Sequence, residues 1–311
     1  YLDVKHIIAL FSRKNLWDIA IEQVKESEYE RETSESVLLL VGSKKGGKTT
    51  VCYKFLERTE TPKNTLALEY LFGRRNKGIE TGKEICHIWE LGGGTLFTDL
   101  LEIPISSKTL KSLSVVLVLD LSKPEEMWYT METLLNAIKN RIDNVLNESG
   151  DPNLKKSLYQ LARNRIPEGH EDSSSIDPFP VPLLIVGSKY DIFQSEEFEK
   201  RKILCKCLRY VAHSKSASVQ FVSSKSEAQV IKIRVSISNM VFGTPCSKTA
   251  VLDHNKPLYI SCGADSFESI GSLTSLNVEN KSGPKSLMEV KKIFTSYFLQ
   301  VVSTFYNNIL E

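Results

Sequence analysis

The stretch Val37-Leu38-Leu39-Leu40-Val41-Gly42-Ser43-Lys44-Lys45-Gly46-Gly47-Lys48-Thr49 decides the fold of this 311-residue chain. Its apolar first part reads as a buried strand, and Gly42 to Thr49 then match the pattern G-x-x-x-x-G-K-[ST] in full. Val51, Phe55 and Leu56 follow with helical spacing. A strand, a glycine turn and a helix start aim successive backbone N–H groups at a phosphate, and the helix N-terminus adds its positive dipole end. On this reading Gly42, Ser43, Lys44, Lys45, Gly46, Gly47, Lys48, Thr49 and Thr50 form a nucleotide-binding loop. The Lys48 ammonium neutralises phosphate charge and the Thr49 hydroxyl holds Mg²⁺. The competing reading, a surface turn that matches by chance, is opposed by the strand before it and the helix after it.

Working outward, apolar runs alternate with amphipathic stretches. Leu113 to Asp120 is almost continuously apolar and ends in an acid, as a central parallel strand does. Met127, Met131, Leu134, Leu135, Ile138, Ile142, Val145 and Leu146 keep three-and-four spacing after Pro124, which predicts a helix packed on the sheet. Residues 165–180 read as a polar loop outside the core. Strand Val181 to Val186, helix Glu196 to His213, strand Ser218 to Val222 and helix Ser226 to Met240 continue the alternation. That order predicts an α/β fold with a mostly parallel sheet covered on both faces. Between the first helix and Leu113, Thr65 to Tyr70 and Ile85 to Glu90 predict a hairpin whose polar turn runs from Gly73 to Gly78. The expected organisation is an N-terminal helical extension at 1–35, a phosphate-loop domain at 36–262, and a loose linker with a C-terminal helix at 263–311. That last helix is read as Leu287 to Leu310, packing more naturally on the core than on a partner.

Composition narrows the class. Charged residues are 25% and apolar residues 41%, so the chain can bury a sizeable core. The net charge of +2 gives no electrostatic case for nucleic acid as a partner. No apolar run approaches the roughly 20 residues of a membrane span, and no secretory signal is visible. The chain begins with Tyr1 instead of Met, which points to a start that lies upstream. Cys52, Cys86, Cys205, Cys207, Cys246 and Cys262 lack C-x-x-C spacing and read as reduced thiols. No nucleophile, histidine and acid combination declares itself. His87 reads as a satisfied structural imidazole, and Trp17, Trp89 and Trp128 as core or interface anchors.

The later strand ends separate guanine from adenine readings. Gly187-Ser188-Lys189-Tyr190-Asp191 is similar to an N-K-x-D element, with Ser188 in place of Asn, Lys189 retained, and Asp191 able to accept from a guanine N–H pair. Ser223, Ser224 and Lys225 follow the next strand like an S-A-K element. Ligands bind at the carboxyl ends of parallel strands, so the pair supports GTP or GDP over ATP. Glu90-Leu91-Gly92-Gly93 stands where D-x-x-G is expected, and Thr49, Thr65 and Glu90 form the candidate Mg²⁺ shell. Thr65 reads equally well as a plain strand residue. Gly94 takes the place of a water-orienting glutamine and cannot do that work. Arg74 and Arg75 read as solvated hairpin residues rather than charge-stabilising fingers. No catalytic residue is assigned, and hydrolysis is expected to be slow or absent.

Together with Thr65 to Tyr70, Phe72 to Arg75, Trp89 to Gly94, Leu117 to Pro124, Asp177 to Pro182 and Gly187 to Asp191, the phosphate loop resembles the dynein light intermediate chains, in particular the branch of cytoplasmic dynein 2. The resemblance runs from about Leu16 to about Glu289 and includes Asn255 to Leu258 and Ser266-Phe267; the first residues and the terminal helix depart from it. It implies a Ras-like P-loop NTPase fold serving as a non-catalytic motor subunit. The implied partners are the dynein 2 heavy chain, its other subunits and intraflagellar transport trains, with microtubules reached only indirectly. The implied location is the cytoplasm, cytoskeleton and cilium, including axoneme, basal body and centrosome region. GDP or GTP with Mg²⁺ would then be a structural cofactor. An independent regulatory GTPase-like switch and an ATP-dependent phosphotransferase are the competing readings.

Overall fold

The computed structural model describes residues 35–76, 83–246, 249–271 and 286–299. The N-terminal extension expected at 1–35 lies outside them but for Glu35, as do Lys77 and Gly78 of the expected hairpin turn and the chain beyond Leu299. Two compact units are present. Of the described residues, the smaller takes Glu35 and those within Arg74–Ile85, and the larger takes Ser36–Gly73 and those from Cys86 onward.

Seven strands form one sheet in the order β2-β3-β1-β4-β5-β6-β7. These are β1 (Glu35–Gly42), β2 (Leu68–Asn76), β3 (Lys83–Leu91), β4 (Leu113–Asp120), β5 (Leu183–Ser188), β6 (Ser218–Phe221) and β7 (Tyr259–Ile260). β1, β4, β5 and β6 run parallel to their neighbours in that series, and β7 adds antiparallel to β6. Successive strand residues point to opposite faces, so the uninterrupted apolar runs supply two cores. Leu38, Leu40, Val116, Val118, Leu184 and Val186 meet helix α1 (Lys48–Phe55) on one face. Leu39, Val41, Val115, Leu117, Leu119 and Ile185 meet helix α2 (Pro124–Ser149) on the other.

Pro124 opens α2, and Gly150, at φ 60°, ends it. Asp151 then caps a helix absent from the sequence reading, α3 (Pro152–Asn164), by accepting from Asn153 N at 2.9 Å. The cap residue and the Pro after it are the signal that marks this second start. A short turn, α4 (Tyr190–Phe193), and helix α5 (Phe198–Ser214) follow β5. Helix α6 (Glu227–Phe242) places Ile233, Ile237 and Val241 on the face shared with α1. Helices α7 (Phe267–Ile270) and α8 (Leu287–Phe298) complete the described chain. None of the described helices is long and apolar enough to cross a membrane.

Three predicted boundaries shift. β2 starts at Leu68 and continues through Asn76, so Arg74 and Arg75 are strand residues, not turn residues. Arg75 lies 3.8 Å from Glu84 and stays 43% exposed at its side chain. The loop at 165–180 does not stay outside the core: Ile176 and Phe179 are buried, and Phe179 N donates to Lys215 O at 2.8 Å. Backbone bonds to the end of α5 draw its apolar residues inward. Of the stretch predicted to be loose, residues 263–271 carry α7, and Arg209 on α5 holds Asp265 with bonds of 2.8 and 2.6 Å.

The C-terminal helix is part of the core. Val290, Phe294 and Phe298 are buried, with Phe294 against Trp128 at 5.4 Å between ring centroids, and Lys291 reaches Glu132 at 2.6 Å. Phe294→Ala should therefore cost about 3–5 kcal/mol and lower Tm by roughly 6–20 °C. Met288→Ala, at a position 68% exposed, should leave Tm nearly unchanged. Thermal unfolding followed by circular dichroism separates the two, and equal effects would refute the docked arrangement.

Candidate functional site

The phosphate-loop stretch lies where β1 leaves the sheet. Gly42 has φ +140°, and a Cβ there would stand 1.9 Å from Val118 O, so no other residue allows β1 to approach β4 this closely. Ser43 N donates to Val118 O at 2.9 Å, and Ser43 Oγ accepts from Asp120 N at 3.2 Å. Gly46 N closes the turn on Ser43 O at 3.0 Å. Gly47, at φ 90°, is the N-cap of α1 and supplies no side-chain cap; the first turn also lacks an acidic residue. The first N–H groups of α1 are therefore available to an anion. Lys48 is buried and donates Nζ to Gly42 O at 3.2 Å and Ser43 O at 2.9 Å. Burial lowers its pKa, an effect that the charge of Glu90 opposes.

Beside the loop, Thr49 Oγ1 donates to Glu90 Oε1 at 2.7 Å and lies 3.4 Å from Thr65 Oγ1. Thr65 Oγ1 donates to Glu69 Oε2 at 3.1 Å. Glu90 is 2% exposed, and its second oxygen, Oε2, is buried without a hydrogen-bond partner. Burial raises the Glu90 pKa, against the pull of the Thr49 and Thr65 hydroxyls and the Lys48 charge. An orphaned carboxylate oxygen among two hydroxyls is a donor set of the hard oxygen type that Mg²⁺ takes. A cavity of about 370 Å³ spans these groups and the loop, lined also by Asn64, Leu66, Leu96 and Phe97. A Cβ at Gly94, whose φ is +71°, would lie 3.4 Å from Lys44 N, so Gly94 stands against the loop without a side chain to orient water.

The two later elements fold onto each other. Asp191 Oδ1 accepts from Ser223 Oγ at 2.8 Å, and Oδ2 pairs with Lys225 Nζ at 2.6 Å. The Lys225 bond first, and then the Ser223 bond, holds Asp191 below the usual carboxylate range against a small burial effect. Ser188 is buried and donates Oγ to Leu119 O at 3.0 Å. A Cβ built at Gly47 would lie 4.0 Å from Ser188 Cβ, so this element borders the loop directly. Thr50 extends the first turn of α1, while Ser224 is exposed.

The model for the dynein light intermediate chain (DLIC) family matches residues 12–175. Across 267 residues the chain is 51% identical to the human protein "Cytoplasmic dynein 2 light intermediate chain 1", covering 83% of this chain and 76% of that relative. This chain belongs to the dynein light intermediate chain family. A zebrafish (Danio rerio) protein of the same name is 45% identical over 305 residues, covering 92% of this chain and 84% of the relative. The solved "Crystal Structure of the Dynein Light Intermediate Chain's Conserved Domain" superposes with a TM-score of 0.60 at 14% identity, covering 86% of this chain and 90% of that one. That likeness shows a shared mixed α/β fold.

In this light intermediate chain Asp120 has a role that the sequence reading passed over. It accepts from Lys189 Nζ at 2.5 Å and from Ser122 Oγ at 2.6 Å, and its own N–H reaches Ser43. Asp120 thus connects the glycine-rich loop, through its N–H, to the Ser188–Asp191 element, through its carboxylate, and its signal was an acid closing an otherwise apolar strand. His87 Nδ1 pairs with Tyr70 OH at 2.7 Å, as a structural imidazole does. Burial pushes the Cys52 and Cys86 thiols up to about 12, so neither is a thiolate at neutral pH.

The Glu90 environment predicts a pH signature. Its folded pKa is raised, so its stabilising contribution is complete below the unfolded value of about 4.3 and is lost as pH rises through the folded value. Glu90→Gln cannot ionise and escapes that loss. In nucleotide-free, Mg²⁺-free buffer, its Tm should match wild type near pH 4 and exceed it at pH 7.5. A Tm difference that does not change with pH would rule out the buried, destabilised carboxylate.

Proposed function

We propose that the chain serves as a non-catalytic light intermediate chain subunit of a cytoplasmic dynein 2 motor, binding and stabilising the heavy chain. The observation that carries this is the 51% identity, over most of both chains, to a human protein bearing that name. On this reading force and ATP hydrolysis belong to the heavy chain. The subunit acts in retrograde intraflagellar transport and cilium assembly, located in the cytoplasm, at the basal body and along the axoneme, and meets microtubules only through the motor.

The larger unit is, in this reading, a Ras-like P-loop domain that keeps nucleotide as a structural ligand. Gly42 to Thr50 would cradle the phosphates, with Lys48 turning from loop carbonyls towards them. Thr49, Thr65 and Glu90 would hold Mg²⁺, which when bound neutralises phosphate charge. Ser188, Lys189, Asp191 and Ser223 to Lys225 would receive the guanine base. The bare Gly94 favours a resident nucleotide over a hydrolytic switch.

Tagged chain recovered from ciliated cells should bring back the dynein 2 heavy chain in stoichiometric amount. A folded chain that returns without it would favour a free GTPase-like regulator. Separately, GDP with Mg²⁺ at a hundred times its Kd should stabilise the purified chain by about 2.7 kcal/mol, and Lys48→Ala should abolish that gain. An unchanged Tm with GDP, GTP and ATP alike would remove the nucleotide from this account while leaving the motor-subunit reading intact.

A further inference from the structure

Away from the phosphate loop, three side chains with metal-binding atoms converge where the 165–180 loop meets the end of α5. His170 and Asp172 come from the loop and His213 from α5, and their ligand atoms lie within 4.8 Å of one another. His213 is buried, whereas His170 and Asp172 are half-buried and leave an approach from solvent.

The surrounding hydrogen bonds determine which atoms face inward. His170 Nε2 lies 3.0 Å from Asp265 O, which can only accept, so Nε2 carries the proton. Nδ1 then presents its lone pair, taking Asp172 N–H at 3.2 Å. An imidazole that donates its other nitrogen to a backbone carbonyl has the outer-shell support typical of metal-binding histidines. The Arg209 bonds to the Asp265 carboxylate anchor the residue that supplies this carbonyl. Asp172 Oδ2 accepts from Phe267 N at 2.9 Å and pairs with His213 Nε2 at 2.8 Å. Among the described residues Asp172 Oδ1 takes no hydrogen bond. The Phe267 ring meets His213 edge-on at 4.6 Å and forms an apolar wall.

A simple histidine–aspartate pair requires only His213 and Asp172. It gives no reason for a second imidazole, oriented by a fixed carbonyl, to lie with its ring centroid 5.2 Å from that of the first. Two imidazoles and one carboxylate are a donor set suited to Zn²⁺, with water in the fourth position. The geometry points to a Zn²⁺ site formed by His170 Nδ1, the Asp172 carboxylate and His213 Nε2, which staples the loop to α5. Binding requires His213 Nε2 to give up its proton, to Nδ1 or to solvent, and His170 Nδ1 to release the Asp172 N–H that occupies its lone pair.

The full chain, stripped of metal by a chelator, is titrated with Zn²⁺ by calorimetry and followed by thermal unfolding. One Zn²⁺ per chain should bind, with a rise in Tm that EDTA reverses. His170→Gln, which leaves the His213–Asp172 pair in place, should weaken binding by more than about 100-fold, beyond the usual loss of an outer-shell partner. Co²⁺ in place of Zn²⁺ should give the visible absorption of a four-coordinate ion in wild type and not in His170→Gln. His213→Gln should behave alike, and if it fails to fold, His170→Gln decides. No Zn²⁺-dependent change in Tm, or binding undiminished in His170→Gln, would leave only a hydrogen-bonded triad or a cysteine site elsewhere and overturn the assignment.

Discussion

The close approach of β1 to β4 is the constraint on which the rest of the larger unit depends. The parallel register sets Gly42 beside Val118, and the space at Gly42 is too small for a Cβ. A side chain there would push the central strands apart and open both cores at once, because Leu38, Leu40, Val116 and Val118 serve one face while Leu39, Val41, Leu117 and Leu119 serve the other. The same contact positions Ser43, whose N–H and hydroxyl bond β4 at Val118 and Asp120, on either side of Leu119. The glycine-rich stretch from Gly42 to Thr49 is therefore held by the sheet itself, and α1 departs from a fixed point.

Electrostatics at that point are unevenly satisfied. Lys48 has its protons on two loop carbonyls, so its charge is solvated by backbone dipoles rather than by water. Glu90 has one oxygen on Thr49 and the other on nothing, and burial opposes ionisation of both groups. Desolvated charges are tolerated in folded proteins when something else compensates them. By contrast, the Asp120 and Asp191 carboxylates each have a cationic partner, Lys189 and Lys225.

Much of this was legible in the residues. The strand, glycine turn and helix around Gly42 to Thr49 stand where the pattern put them, and the apolar runs ending at Asp120 and Ser188 are the central parallel strands. The Thr49–Thr65–Glu90 grouping was expected from likeness to nucleotide-site motifs, with Thr65 left equally open as a plain strand residue, and the three side chains lie together. Helix α3 was missed because its pattern is brief and follows a long helix, leaving only the cap at Asp151 and Pro152 to announce it. The burial of Ile176 and Phe179 was missed because the loop around them is polar, and its inward path is set by bonds to a helix end that comes some 40 residues later.

The sequence by itself determined the alternating α/β order, the two-sided burial and the position of the phosphate-loop stretch, because each depends on local periodicity and on glycines within a few residues of one another. Only the tertiary structure decided which polar groups satisfy one another. Asp120 meets Ser43 and Lys189, Asp191 meets Ser223 and Lys225, and His213 meets Asp172, all across long separations in the chain. A side-chain hydrogen bond acts over about 3 Å, so no pattern along the sequence carries these pairings until the sheet has brought the strand ends and loops together.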